Sequence, residues 1–520
     1  MLKHGTIITG ALAGVEAFKV QITATVTEGL PSFVFVGPFV EGAQRETRIR
    51  VESSIKTSGF TFPAGRITVE IKAVDAAGWP SGRKVDGTAL DLPIALAVLI
   101  AAGQLPDNET VGTLVAFGEL SLSGEVRPVR GAILLARLRA HDTHSGRVAV
   151  VCPIDNGAEA AAGEVHPNIR CVRTLRDAAG VYATGTGGDF ATPRATTNAP
   201  PIDFRDIKGQ GRGRRATEIA AAGGHNLMLT GGPGAGKTML ARRIASILPD
   251  MTETEALEVT EVHSCAGLNM GAGLQRSRPF RAPHHSTTPP GLVGGGTAMP
   301  RPGEITLAHR GVLFLDEVPE FAKASLEVLR EPVTTRRVDL SRASGTLRFP
   351  ADAMLVGSQN PCPCGHAGSK RCKCEPDSVK RYRARSAGVE ALCDVRCEVE
   401  PIDLKTIDDA TPGEDSATIK ARVLLARGAQ ADRGCLNARM TEADVSREVR
   451  AMPATARALL ATYVNGVAAT VPNAGRVMPE VRAINTASGR VVRVARTIAD
   501  LAGLDVITDL CLSEALQLTK

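Results

Sequence analysis

The chain has 520 residues, room for roughly two to four domains. Hydrophobic residues make up 43% and aromatics 3%, enough for real cores but an argument against broad base-stacking platforms. Lys and Arg number 61 against 55 acidic residues, and this net charge of +6 permits a polyanionic partner without demanding one.

No run of about eighteen apolar residues occurs, so no membrane span is expected. Met1-Leu2-Lys3-His4-Gly5 leads into a strand-like pattern and not a signal peptide. Residues 1–183 read as one α/β unit. Val20 to Val26 alternates apolar and polar residues, as a half-buried strand does. Ser32 to Gly37 predicts a buried strand, residues 41–58 a charged helix, and Arg66 to Ile71 another alternating strand. Leu90 to Ile100 predicts a buried helix with Pro93 near its start, and Val148 to Cys152 a further core strand. Residues 184–201 are rich in Gly, Thr, Pro, Ala and Asn without periodicity and read as a linker. The basic cluster Arg212, Arg214 and Arg215 reads as a solvated helix start more readily than as a DNA site.

Residues 202–400 carry the chemistry. Gly231-Gly232-Pro233-Gly234-Ala235-Gly236-Lys237-Thr238 is the Gly-x-x-x-x-Gly-Lys-Thr phosphate loop, set between an apolar strand (226–230) and a helix that begins at Met239. The glycines let backbone N–H groups surround phosphate oxygens, and the helix N-terminus adds partial positive charge. Lys237 should reach the β- and γ-phosphates of ATP, and Thr238 should hold Mg²⁺. The apolar run Val312 to Leu315 then delivers Asp316, a second Mg²⁺ ligand, and Glu317, which would polarise the attacking water. A third apolar strand, Ala353 to Ser358, ends at Gln359 and Asn360, where a polar residue could orient that water. With an ATP site, eleven cysteines, an odd number and most of them scattered, point to a reducing cytoplasm and not to a disulfide framework. Cys152 and Cys511 read as core residues.

Cys362-x-Cys364 and Cys372-x-Cys374 flank residues 365–371, a hairpin in which four thiolates could close a tetrahedral Zn²⁺ site and present Lys370, Arg371 and Lys373. A reduced-thiol hairpin is the alternative. His284 and His285 should point apart on an extended chain, which argues against one shared metal. Arg337 and Arg342 fall on a predicted β-hairpin, as phosphate or subunit contacts or as solvated charges. Residues 401–520 are helix-rich; from Arg490 to Ala502 an apolar face opposes a basic one, the pattern of a packed helix with a solvated side.

With these residues in view, the chain resembles the ComM (YifB) family of magnesium-chelatase-like AAA+ ATPases over nearly its whole length. The segments that carry the likeness are residues 29–33, 91–96, 118–129, 281–286, 302–305, 360–365 and 495–501. The resemblance implies an α/β multidomain protein with a Lon-protease-like N-terminal domain, an AAA+ P-loop core with a parallel sheet and a C-terminal helical lid. It implies a homohexameric, DNA-binding helicase that promotes branch migration in homologous recombination and natural transformation. Aligned with the Lon pattern, Ala89 stands at the serine and Ile133 at the lysine, so the Ser–Lys dyad is missing and the domain is non-proteolytic. Two further positions depart from the family. Where its arginine finger is expected, residues 388–394 hold no Arg, and the nearest are Arg385 and Arg396. Where its second sensor Arg is expected, Thr486 stands, with Arg482 and Arg490 to either side. The alternatives are a low-turnover nucleotide-binding scaffold, a magnesium-chelatase motor subunit and an ATP-dependent protease.

Overall fold

Apolar side chains at every second position make Glu16–Thr27 a strand with one buried face, and they fix its register against both neighbours. In the computed structural model, residues 3–38, 41–74, 85, 87–106, 114–138, 150–162, 169–190, 202–269, 272–296, 300–342, 345–367, 370–401, 413–470 and 479–519 are described. The first sheet runs Asp189–Phe190, Ile169–Val172, Val150–Pro153, Val115–Ala116, Lys3–Ala13, Glu16–Thr27, Arg66–Ala73, Ser32–Val36, with parallel and antiparallel pairs mixed. The helix Asp91–Ala101 is buried at every residue and lies on this sheet, so closely that a Cβ at Gly5 would collide with the Ala97 carbonyl. Pro93 sits in its first turn, where a missing N–H breaks no helical bond. Asp91 is fully buried there and accepts from Arg50 at 2.6 Å, which ties in the helix Glu41–Thr57.

The expected boundary at residue 183 falls inside the helix Leu175–Thr184, and Asp189–Phe190 then pairs back onto Ile169–Val172. The chain therefore stays in the first unit beyond the point where composition turns linker-like. Residues 191–201 lie outside the described residues.

The second sheet is wholly parallel, in the order Phe280–Arg281, Val312–Leu315, Met354–Gln359, Leu227–Gly231, Val395–Val399. Its inner strands are continuous apolar runs, as strands covered on both faces must be. The helices Gly211–Gly223 and Lys237–Ile247 share one core with Ser416–Asp432, Pro479–Leu501 and Asp509–Leu518 from the C-terminal segment. The expected solvated side of the Arg490–Ala502 stretch does not hold at Arg496, which is 2% exposed and pairs with buried Asp500 at 2.9 Å. The cluster at the start of Gly211–Gly223 is not free either. Arg215 pairs with Glu514 at 2.8 Å, and Arg214 donates to Glu414 O at 2.7 Å. Among the described residues, no helix is long and apolar enough to cross a membrane.

The first unit docks on the helix Glu253–Ala266 of the second. Ile133 and Leu134 pack on Cys265, Arg137 pairs with Glu261, and Ser264 Oγ donates to Glu159. Burial pushes the Glu159 carboxyl up to about 7 from its ordinary 4.5, against the pull of Ser264 and Asn156. The unfolded chain therefore gives up this proton first. The stability this carboxyl contributes is full below pH ~4.5 and lost as pH rises toward ~7, at up to ~1.4 kcal/mol per pH unit. In thermal unfolding between pH 5 and pH 8, the Tm of wild type should fall more steeply than that of Glu159→Gln, which cannot ionise. Equal slopes would contradict this account of the interface.

Candidate functional site

Four side chains converge where parallel strands end, the edge at which open α/β sheets bind ligands. Between the strand Leu227–Gly231 and the helix Lys237–Ile247 the chain turns through Gly234 (φ +74°) and Gly236 (φ +87°), backbone that favours glycine. Gln210 steadies this loop, donating to Ala235 O at 2.8 Å and Glu400 O at 2.7 Å. The Lys237 ammonium donates to Gly231 O (2.7 Å), Gly232 O (2.9 Å) and Asn360 Oδ1 (3.1 Å). Burial lowers its pKa, and the charges of Asp316 and Glu317 work in the opposite direction. The next side chain, Thr238, donates to Asp316 at 3.0 Å. Met239 is 44% exposed at the helix start.

Two residues that complete the site were not assigned roles from sequence. Ser358 Oγ donates to Asp316 Oδ1 and accepts the Glu317 N–H at 3.2 Å, so one hydroxyl holds the Asp316 carboxylate and the Glu317 backbone. Ser358 lies two residues before Asn360, and this same-face spacing on a strand was the available signal. Tyr382, from the helix Pro376–Glu390, stands beside Asn360, while burial and then Glu320 and Glu317 hold its hydroxyl above the usual tyrosine range. Glu317 itself adopts φ +54°, a left-handed conformation that costs a non-glycine residue about 1–3 kcal/mol and recurs at functional sites.

The four cysteines meet. The Sγ atoms of Cys362, Cys364, Cys372 and Cys374 lie within 4.8 Å of one another, with separations of 3.4, 3.9 and 3.8 Å among the first three. A tetrahedral Zn–S site sets sulfur atoms about 3.8 Å apart, so the residues fit Zn²⁺. The described residues of the segment form turns and not paired strands. Backbone N–H groups of Lys373 and His366, then the neighbouring thiols, pull the Cys364 thiol down to about 6. Gly365 packs on the phosphate loop so tightly that a Cβ there would collide with the Pro233 ring. Lys370, Arg371 and Lys373 are exposed on the outer side.

Other candidates fall elsewhere. His284 and His285 do not point apart: a turn brings their rings to 4.0 Å between centroids, and His285 stands edge-on to Phe321. Among the described residues the four cysteines are the ligand set that gathers. The predicted hairpin forms as Arg337–Arg342 and Gly345–Pro350, with Arg337 paired to Asp339 at 3.1 Å; the Arg342 side chain lies outside the described residues. Arg385 is exposed on Pro376–Glu390, and Arg396 donates to Glu390 O at 3.1 Å. Residues 391–394 lead into the strand Val395–Val399, at the sheet edge opposite Lys237. Arg490 donates to Ala391 O at 3.0 Å, and the side chains of Arg482 and Thr486 lie outside the described residues. Ala89 is half-buried in the first unit.

Three family models match the chain: magnesium chelatase subunit ChlI over residues 203–407, subunit ChlI of Mg-chelatase over 22–156, and the ChlI C-terminal region over 413–519. An uncharacterised protein of Mycobacterium tuberculosis is 38% identical across 96% of this chain and 95% of its own. Uncharacterised protein YifB of Escherichia coli is 36% identical across 98% and 95%. Competence protein ComM of Haemophilus influenzae is 35% identical across 98% and 96%.

Ser358→Ala should lower ATP turnover at saturating nucleotide about tenfold or more while changing nucleotide affinity little, because it frees Asp316 and Glu317 and leaves the phosphate loop intact. Turnover equal to wild type would mean that Ser358 positions nothing.

Proposed function

We propose, from the premise that this chain belongs to the ComM and YifB family of magnesium-chelatase-like AAA+ proteins, that it is an ATP-driven DNA motor. Its task is branch migration during homologous recombination and natural transformation, in the cytoplasm and as a homohexamer. The observation that carries the reading is the convergence of Lys237, Thr238, Asp316 and Asn360 at one sheet edge. Lys237 exchanges its carbonyl partners for β- and γ-phosphate oxygens. Thr238 and Asp316 are the residues that would hold Mg²⁺, which supplies charge neutralisation between those phosphates. Glu317 polarises the attacking water, and Asn360, bonded to Lys237, orients it.

The DNA contact is assigned to exposed cations outside the ATP site. Lys370, Arg371 and Lys373 stand on the cysteine turns that rest against Pro233, so a change in the phosphate loop is felt where DNA phosphate would be held. Such contacts are independent of sequence and weaken with salt. Zn²⁺ on the four thiolates would fix the turns. A low-turnover nucleotide-binding scaffold is the second reading, favoured by the absence of Arg from residues 388–394.

Lys237→Ala should abolish ATP-dependent migration of a four-way DNA junction; migration at the parental rate would show that the ATP site lies elsewhere. The purified protein should carry about one Zn²⁺ per chain by elemental analysis, lost in Cys372→Ser. A metal-free wild type with full activity would reduce the cluster to packed thiols.

A further inference from the structure

A cavity of about 570 Å³ opens at the sheet edge opposite the phosphate loop. Its floor is the N-terminal ends of the parallel strands, at Asn226, Gly311, Met354 and Asp394, and its far wall is the C-terminal helical segment. Arg278, Arg310 and Arg336 enter from the sheet side. Arg427, Arg439, Arg490 and Arg493 enter from the helical side. Three carboxylates, Glu255, Asp352 and Asp394, face these seven arginines.

The carboxylates are heavily shared. Asp352 serves Arg439 at 2.6 Å, Arg310 at 2.9 Å and Arg336 at 3.7 Å. Glu255 serves Arg278 at 3.1 Å and Arg310 at 3.8 Å, and Arg310 also reaches Glu258 outside the cavity at 2.8 Å. Asp394 stands 3.9 Å from Arg490 and 3.0 Å from His225. Arg427 and Arg493 turn to backbone carbonyls, Ala221 O at 2.7 Å and Met440 O at 2.8 Å. Burial, then repulsion from Arg278 and Arg439, holds Arg427 down to about 10. Partial burial, then repulsion from Arg439 and Arg310, lowers Arg336 as well. A salt-bridge staple between sheet and helices would balance its charges; this one leaves cations in excess, crowded around open space.

We propose that this cavity is a second anion site, distinct from the phosphate loop, which takes a linear chain of phosphates. Guanidinium forks match phosphate oxygens two at a time, and a ligand with several linked phosphates meets several arginines at once. Bound there, it bridges sheet and C-terminal helices and relieves the repulsion among them. The phosphate chain comes free in solution.

The test uses full-length protein carrying Lys237→Ala, which silences the phosphate loop, titrated calorimetrically with inorganic tripolyphosphate. One site per chain is expected. It should weaken about tenfold or more in Arg336→Gln or Arg490→Gln, and between about 0.1 M and about 1 M salt. Arg336 is exposed and has the longest carboxylate contact of its group, so its variant should keep the parental Tm. Binding that does not change with protein concentration assigns the free anion. Absence of tripolyphosphate binding, or affinity unchanged in both Arg336→Gln and Arg490→Gln, overturns the proposal.

Discussion

One constraint governs the nucleotide site: the strand Met354–Gln359 lies between the strand that feeds the phosphate loop and the strand that delivers Asp316 and Glu317. All six of its residues are buried, so its register is fixed on both sides. Its C-terminal end then has one place to go. Ser358 meets the acidic pair, and Asn360 meets Lys237. The strand sets the distance between Lys237 on one side and Asp316 and Glu317 on the other. The left-handed Glu317 is tolerated in this setting because the Ser358 hydroxyl takes its N–H.

The same strand connects the site to the rest of the chain. Directly after Asn360 come the cysteine turns, which press Gly365 against Pro233. On the other side of the loop, Gln210 bonds Ala235 and the end of Val395–Val399. The phosphate loop is thus gripped from two directions by segments with exposed basic residues or contacts to the C-terminal helices. At the opposite sheet edge, Asp352 and Asp394 hold arginines of those helices, and His225 bridges Asp394 and Thr497.

Much of this was legible from the chain alone, for physical reasons. A phosphate loop needs glycines at positive φ and a Lys at a helix start, so Gly234, Gly236 and Lys237 announce themselves by spacing. Buried parallel strands read as apolar runs, so Asp316 and Asn360 could be placed at strand ends. The cysteines could be paired by sequence proximity. What spacing does not carry is partnership between distant segments. Tyr382 reaches Asn360 from a separate helix, and Gln210 reaches Ala235 from before the loop. Arg496 looked solvated because its helix is amphipathic, yet the buried Asp500 one turn away neutralises it. The histidine pair misled because an extended chain was assumed where the backbone turns. The linker estimate began early because Gly187 and Gly188, which suit a loop by composition, form the turn into one last edge strand.

The central claim is that this site hydrolyses ATP and that DNA is what the hydrolysis acts on. Steady-state ATP turnover by the full-length protein, with and without a four-way DNA junction, tests it most directly. The account predicts measurable basal turnover that the junction raises several-fold, with stimulation that falls as salt is increased. Tight ATP binding without turnover, unchanged by any DNA, would contradict it and leave a nucleotide-gated scaffold.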